Sequence, residues 1–191
     1  MIELVAFLGN PGKEYSHNRH NAGFLLAEKP KISSDLKWQK KFKGFYAVFN
    51  GHIHFIKPLT FMNLSGESVS QAASFFKIKT DAILVVHDEL ELPLGVVSLK
   101  FGGGLGGHNG LRSMKASLGS ADFWRIRLGI GRPVPDSMEV IDWVLSDFDA
   151  GEKEILDRVL ESAAELLVNV LAGNPEDFLS EWAKKKVTLD G

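Results

Sequence analysis

The sequence predicts an α/β fold: a single domain over residues 1–191, with a mixed, mostly parallel twisted sheet flanked by helices. Three observations carry this. The short apolar runs Ile2–Leu8 and Ile83–Val86 suit strands covered on both faces. Apolar residues recur at helical spacing elsewhere, most fully from Asp149 to Ala172, at Ile155, Val159, Ala163, Leu166, Leu167 and Val170. Strand-like and helical segments alternate along the chain, with one hairpin among them.

In chain order, Ile2–Leu8 is the first strand, stopped by Gly9, Pro11 and Gly12. Phe24–Glu28 begins a helix that Pro30 cuts short. Lys31–Lys43 is polar and basic, with Lys37, Lys40, Lys41 and Lys43 around Trp38 and Phe42, and reads as solvated surface. Phe45–Asn50 and His52–Lys57 flank the hairpin signal Asn50-Gly51. Leu59–Ser65 is a loop. The next helix carries Val69, Ala72, Ala73 and Phe76 at its spacing, with Ser65 as its expected N-cap. Ile83–Val86 is a central strand ending in His87, Asp88 and Glu89, and Val96–Phe101 is another after a turn at Pro93 and Gly95. Gly102–Gly110 is a glycine-rich loop before a helix with Leu111, Met114 and Leu118. Trp124–Ile130 is a strand, and Ser137–Leu145 is short and amphipathic. Gly173 closes the long helix, Asn174-Pro175 caps a last one carrying Phe178 and Trp182, and Lys184–Lys186 is a basic tail.

The totals narrow the function classes. The 191 residues are 45% hydrophobic and 24% charged, enough for a sizeable core. A net charge of −2 excludes a basic glove around nucleic acid, so any RNA contact is local. With no cysteine there is no disulfide, no cysteine nucleophile and no thiolate-bound zinc. No signal peptide is visible, and no apolar run reaches the roughly 18 residues of a membrane span. A cytoplasmic protein is expected.

Polar residues collect at strand ends. Asn10 and His20 follow the first strand, Asp88 ends the Ile83 strand, and His108 and Asn109 follow the Val96 strand. If these strands run parallel, all five groups meet at one sheet edge, where open α/β sheets place their sites. A carboxylate that accepts from one imidazole nitrogen orients the ring and leaves the other as a general base. His20 and Asp88 can form that pair; the alternative is that His20 caps a helix or lies on the surface. No G-x-S-x-G elbow and no cysteine offer a nucleophile, so water is the simpler attacker. Asn63 and Asn109 offer amide donors for a developing oxyanion, or serve only turns and caps. Gly102, Gly104 and Gly107 match G-x-G-x-x-G, but Asp122 stands at the start of the next strand, where a dinucleotide fold wants its acid at the end. Consecutive residues His87, Asp88 and Glu89 point to opposite faces of a strand and converge poorly on an ion. No metal and no cofactor are expected.

In combination the motifs are specific. G-N-P-G-x-x-Y-x-x-x-R-H-N-A-G, T-F-M-N-L-S-G, H-D-E-L and G-G-G-x-G-G-H-N-G-L follow in order from Gly9 to Leu111, and R-I-R-L-G-I-G-R-P continues beyond them. This series resembles the bacterial peptidyl-tRNA hydrolase family over nearly the whole chain. The resemblance implies hydrolysis of the ester joining a peptide to the 3′ end of tRNA. It implies His20 as catalytic base, Asp88 as the stabiliser of its active form, and Asn10 as the reader of N-blocked substrate. Tyr15, Phe61, Asn63 and Asn109 would contact the tRNA or its terminal adenosine, Met62 and His108 would line the same cleft, and Lys100 and Arg127 would lie near the tRNA 5′ phosphate. Period two puts Arg125 and Arg127 on one strand face, where they could share a phosphate. The partner implied is peptidyl-tRNA, acted on by a monomer. Three departures from the family pattern stand out: the helix cut at Pro30, Leu105 in the glycine loop, and Ser98 where some relatives carry lysine. Two other readings are a non-catalytic RNA-binding module of the same fold and a nucleotide-dependent oxidoreductase resting on the glycine loop.

Overall fold

Strand β1 (Leu4–Phe7) is buried throughout, and its side chains alternate between two cores. Leu4 and Ala6 join one core with Leu8 just beyond the strand; Val5 and Phe7 join the other. The computed structural model describes residues 1–134 and 138–187. The remaining strands are β2 (Gln39–Lys41), β3 (Gly44–Phe49), β4 (Ile53–Pro58), β5 (Ile83–Glu89), β6 (Val96–Phe101), β7 (Trp124–Gly129) and β8 (Lys185–Lys186). Among the described residues these eight form one sheet in the order β2-β3-β4-β1-β5-β7-β6-β8. The middle four, β4, β1, β5 and β7, are parallel, and both flanks are antiparallel.

Among the described residues six α-helices cover the sheet: α1 (Ala22–Ala27), α2 (Pro30–Ser33), α3 (Ser65–Phe76), α4 (Asn109–Leu118), α5 (Val140–Leu145) and α6 (Ala150–Ala172). The core holding Val5, Phe7, Leu84 and Val86 is closed by α1, α2 and α6. The core holding Leu4, Ala6, Ile83 and Val85 is closed by α3 and α4. The long helix α6 starts in a capping box, with the Asp149 carboxylate accepting from the Glu152 N–H at 2.8 Å and the Glu152 carboxylate accepting from the Asp149 N–H at 2.8 Å. The expected hairpin is present: Asn50 and Gly51 both take positive φ, as a primed turn between β3 and β4 requires.

Several expectations are corrected. The Val96 strand does not run parallel to the others: β6 is antiparallel to β7, so Phe101 lies beside Trp124 at the far edge of the sheet. The glycine loop must therefore travel back along the sheet. Gly102, Gly103, Gly106 and Gly107 all adopt positive φ on that path. The polar segment 31–43 contains α2 and edge strand β2. Pro30 stops α1 and also opens α2 as its first residue. Ser65 is a buried first helical residue whose hydroxyl donates to the Met62 carbonyl, and it caps nothing. The expected last helix is a 3-10 turn at Pro175–Phe178, and the basic tail supplies β8. The amphipathic stretch is α5, while residues 135–137 lie outside the described part of the chain.

Helix α1 sits against the ends of β1 and β5 because Gly23 lets it. A Cβ there would stand 2.5 Å from the Leu8 carbonyl oxygen and 2.7 Å from that of Val86. Gly23→Ala should destabilise the protein by about 1–3 kcal/mol. Urea unfolding should register the loss as a lower midpoint with an unchanged slope; an unmoved midpoint would show that α1 can shift without cost.

Candidate active site

Asp88 lies at the carboxyl end of β5 and is 1% exposed. A carboxylate so placed must be paired. Two imidazoles do this. His20, in a 3-10 turn (Arg19–Asn21) leading into α1, approaches with Nδ1 at 2.9 and 3.0 Å from the two carboxylate oxygens. His108 places Nε2 at 2.9 Å from Oδ1. His108 also caps α4: its Nδ1 accepts from the N–H groups of Gly110 at 3.1 Å and Leu111 at 3.4 Å. An accepting Nδ1 puts the His108 proton on Nε2, which donates to Asp88. The antiparallel β6 thus still delivers His108 to the site, through the returning glycine loop.

The electrostatics follow from this geometry. Burial alone would raise the Asp88 pKa, but the two imidazoles and the N–H bonds they donate hold it well below the usual carboxylate range. For His20, burial disfavours the imidazolium, while the Asp88 charge and hydrogen bond outweigh burial and raise the pKa above the ordinary histidine value. With Nδ1–H given to Asp88, the His20 Nε2 keeps its lone pair and has no protein partner among the described residues. The ring lines a cleft of about 590 Å³. His87 lies alongside, fully buried, its ring centroid 5.0 Å from that of His108. Burial drives its pKa well down.

Asn10 is fixed from three sides. Its N–H donates to Asn21 Oδ1 at 2.8 Å, Asn21 Nδ2 donates to its carbonyl at 2.9 Å, and its own Oδ1 accepts from the Met62 N–H at 2.7 Å. This leaves the Asn10 amide nitrogen for the cleft. Asn63 and Asn109 are exposed and line the same cleft, as do Met62 and the edge-to-face pair Tyr15–Phe61 at 6.4 Å. Nine of the eleven residues singled out in the sequence therefore meet in one place.

Lys100 and Arg127 stand apart, on the sheet face that α3 and α4 leave to the glycine loop. Arg127 donates to Ser98 Oγ at 2.8 Å and faces Glu89, a cleft residue, at 3.5 Å. Lys100 is partly exposed; burial and the neighbouring charges of Arg127 and Arg125 hold its pKa below the ordinary lysine value. Arg125 shares their face but not their surroundings. It is 1% exposed and donates to the carbonyls of Gly104 at 2.7 Å and Gly103 at 2.9 Å. The idea of two arginines sharing one phosphate is corrected: Arg125 anchors the loop. Leu105 packs against the α3–α4 core, and the Ser98 hydroxyl donates to the Ala183 carbonyl at 2.6 Å.

Sequence reasoning missed the anchoring part of Arg19 and the place of α5 in the cleft wall. The Arg19 guanidinium is buried over the Trp143 ring at 3.8 Å and donates to Ser146 Oγ at 2.9 Å, Glu152 at 2.6 Å and the Asp147 carbonyl. It ties the turn bearing His20 to the chain after α5, whose Val140, Ile141, Val144 and Leu145 form an apolar wall of the cleft. Its only signal in the sequence was a charged residue inside a motif.

Against known proteins, the family description "Peptidyl-tRNA hydrolase" matches residues 4–189. The peptidyl-tRNA hydrolase of Treponema pallidum (strain Nichols) is 46% identical over 195 residues, covering 97% of this chain and 96% of the relative. The crystal structure of the Acinetobacter baumannii peptidyl-tRNA hydrolase superposes with a TM-score of 0.89 at 34% identity, over 98% of this chain and 97% of that one. A peptidyl-tRNA hydrolase in complex with N-propanol superposes equally well, with the same identity and coverage.

Asp88→Asn keeps the shape of the acceptor and removes its charge. Burial then acts on His20 with less opposition, so the His20 pKa should fall; imidazole NMR titration measures it. A base works in its neutral form, so the acid limb of a pH–rate profile should move to lower pH as well. An unmoved or rising His20 pKa would show that the Asp88 charge does not govern the ring.

Proposed function

The chain belongs to the peptidyl-tRNA hydrolase family, and on that premise we propose the roles its residues take in hydrolysing the ester between a peptide and the 3′ end of tRNA. The observation that carries the mechanism is the His20–Asp88 pair, with Nδ1 at 2.9 Å from the buried carboxylate and Nε2 left toward the cleft. His20 Nε2 takes a proton from water as the oxygen attacks the ester carbonyl. The carbonyl oxygen becomes an oxyanion, and the amide groups of Asn63 and Asn109 donate to it. Asp88 holds the imidazolium that forms, and His108 holds Asp88. As the intermediate collapses, the bond to the ribose oxygen breaks, and the imidazolium returns its proton to that oxygen. An ester has a good leaving group, so one base, a water and an oxyanion site suffice, with no protein nucleophile and no metal step.

Asn10 offers its amide nitrogen at the bottom of the cleft, where the blocked nitrogen of the peptide can be distinguished from a free ammonium group. Tyr15, Phe61 and Met62 give apolar contact beside the ester. Lys100 and Arg127 take a tRNA phosphate; the mutual repulsion of Lys100, Arg125 and Arg127 favours a bound anion, with Glu89 as their nearest counter-charge. The proposed working unit is the monomer, since the catalytic pair, the asparagines and both cleft walls come from one chain. No helix among the described residues is long and apolar enough to cross a membrane. The proposed compartment is the cytoplasm, where translation supplies the substrate. A non-catalytic RNA-binding role would have no use for a base held this way.

His20→Ala should lower turnover of N-acetyl-aminoacyl-tRNA about 10²–10⁴-fold while the protein still folds. Near-normal turnover would remove His20 from the mechanism.

The two ends of the cleft should respond differently to salt. A phosphate contact contributes a salt-dependent part of binding and little chemistry. Lys100→Ala and Arg127→Ala should each raise KM, flatten its salt dependence and leave kcat nearly unchanged. Asn10→Ala should keep the salt slope and lose discrimination between blocked and free aminoacyl-tRNA. Kinetics at two ionic strengths check both, and an exchange of the two phenotypes would mean the ends are assigned in reverse.

A further inference from the structure

On the opposite flank from Lys100 and Arg127 lies a pocket of about 480 Å³ formed by Lys40, Lys41, Lys43, Gly44, Leu59 and Thr60. It has a built character. Lys41 lies over the Phe75 ring at 4.4 Å and the Phe42 ring at 4.7 Å, which fixes its ammonium group. Lys43 pairs with Glu67 at 2.7 Å, and Lys40 has no ion pair among the described residues. Three cations thus face one carboxylate. The Thr60 hydroxyl is buried without a hydrogen-bond partner. The turn that presents the lysines holds Phe42 and Lys43 at φ 55° and 53°, a left-handed conformation that costs energy for such residues.

Topology puts this pocket in line with the active site. Gly44 pairs with Pro58, so the β2–β3 turn lies at the carboxyl end of β4, the same sheet edge that carries His20 and Asp88. Thr60 is next in the chain to Phe61 of the cleft. The scissile ester joins RNA on one side to peptide on the other, and the two leave it in opposite directions. With the RNA phosphate on the β6–β7 flank, the peptide leaves toward the β2–β3 flank. We infer that this lysine pocket is a subsite for an acidic side chain of the nascent peptide. The inference rests on the proposed phosphate role of Lys100 and Arg127. From β1 to β2 is three strand spacings, or ~14 Å, and an extended peptide advances ~3.3 Å per residue. The carboxylate that fits is therefore about four residues from the ester.

The test uses five-residue peptidyl-tRNAs that differ only at the fourth residue from the ester, as Asp, Asn or Lys, together with N-acetyl-aminoacyl-tRNA, which is too short to reach the pocket. The natural protein should show a KM for the Asp peptide about three- to tenfold below that for the Asn peptide, the size expected of one or two exposed ion pairs. The Lys peptide should be poorest. Lys40→Gln combined with Lys43→Asn should erase the ranking and leave N-acetyl-aminoacyl-tRNA unaffected; asparagine tolerates the left-handed position. Lys40→Gln alone, on an exposed strand, should give part of the effect. Equal KM values for the three peptides with the natural protein would overturn the inference. So would a variant that weakens N-acetyl-aminoacyl-tRNA as much as the Asp peptide, because the lysines would then hold RNA. Failure of the underlying reading has a different signature: Lys100→Ala and Arg127→Ala would leave the salt slope of N-acetyl-aminoacyl-tRNA unchanged.

Discussion

One buried carboxylate sets the terms for the rest of the site. Asp88 is out of water at the end of a central parallel strand, and an unpaired charge there would cost several kcal/mol. Its partners come from opposite sides of the sheet. His20 arrives at the entrance of α1, which closes one core; His108 arrives at the entrance of α4, which closes the other. The pairing that satisfies the charge thus also fixes both helix entrances. It also fixes both histidines chemically. His108 spends Nδ1 on the first turn of α4 and Nε2–H on Asp88, so it has no free nitrogen for catalysis. His20 spends only Nδ1, and its remaining nitrogen is free to act as a base toward the cleft.

A second buried charge performs a comparable service at the rim. Arg19, one residue before the catalytic histidine, is held by a carboxylate, a hydroxyl, a carbonyl and the Trp143 ring. Glu152 accepts from it with the same oxygen that closes the capping box of α6. The apolar wall of α5 is thereby linked to the turn that carries His20. Asn10 is fixed by a third device, a reciprocal pair of bonds with Asn21 and a bond from the Met62 N–H. His20, Asp88 and Asn10 are thus held by neighbours before substrate arrives, as preorganised catalysis requires.

The glycine loop shows why local signals can point to the right residues by the wrong path. The glycine-rich sequence after a strand and before a helix matched a dinucleotide pattern that the position of Asp122 argued against, and a parallel strand would have carried His108 and Asn109 straight to the site. The strand is antiparallel, and the glycines allow the loop to turn and come back along the sheet. Arg125 stays under that loop, bonded to two of its carbonyls, although its period-two neighbour Arg127 is the one beside the cleft. The N-terminus of α4 is capped by His108 itself, which takes up the N–H groups of Gly110 and Leu111.

The sequence by itself determined the elements whose cause is local. Apolar runs and helical spacing fixed the central strands and α6, Asn50-Gly51 fixed the hairpin, and the ordered motifs identified nine residues that do converge. These signals lie within a few residues of what they specify. Tertiary structure alone decided strand direction at the sheet flank, the addition of β2 and β8 at its edges, the loss of the Ser65 cap and the burial of Arg19. Each depends on partners distant in the chain: Gln39 on Tyr46, Lys186 on Val96, and Arg19 on Glu152. A short polar strand has no periodicity of its own, and a buried arginine looks like an exposed one until its carboxylate is found. Which of several possible partners a polar group meets is fixed only when the chain has closed around it.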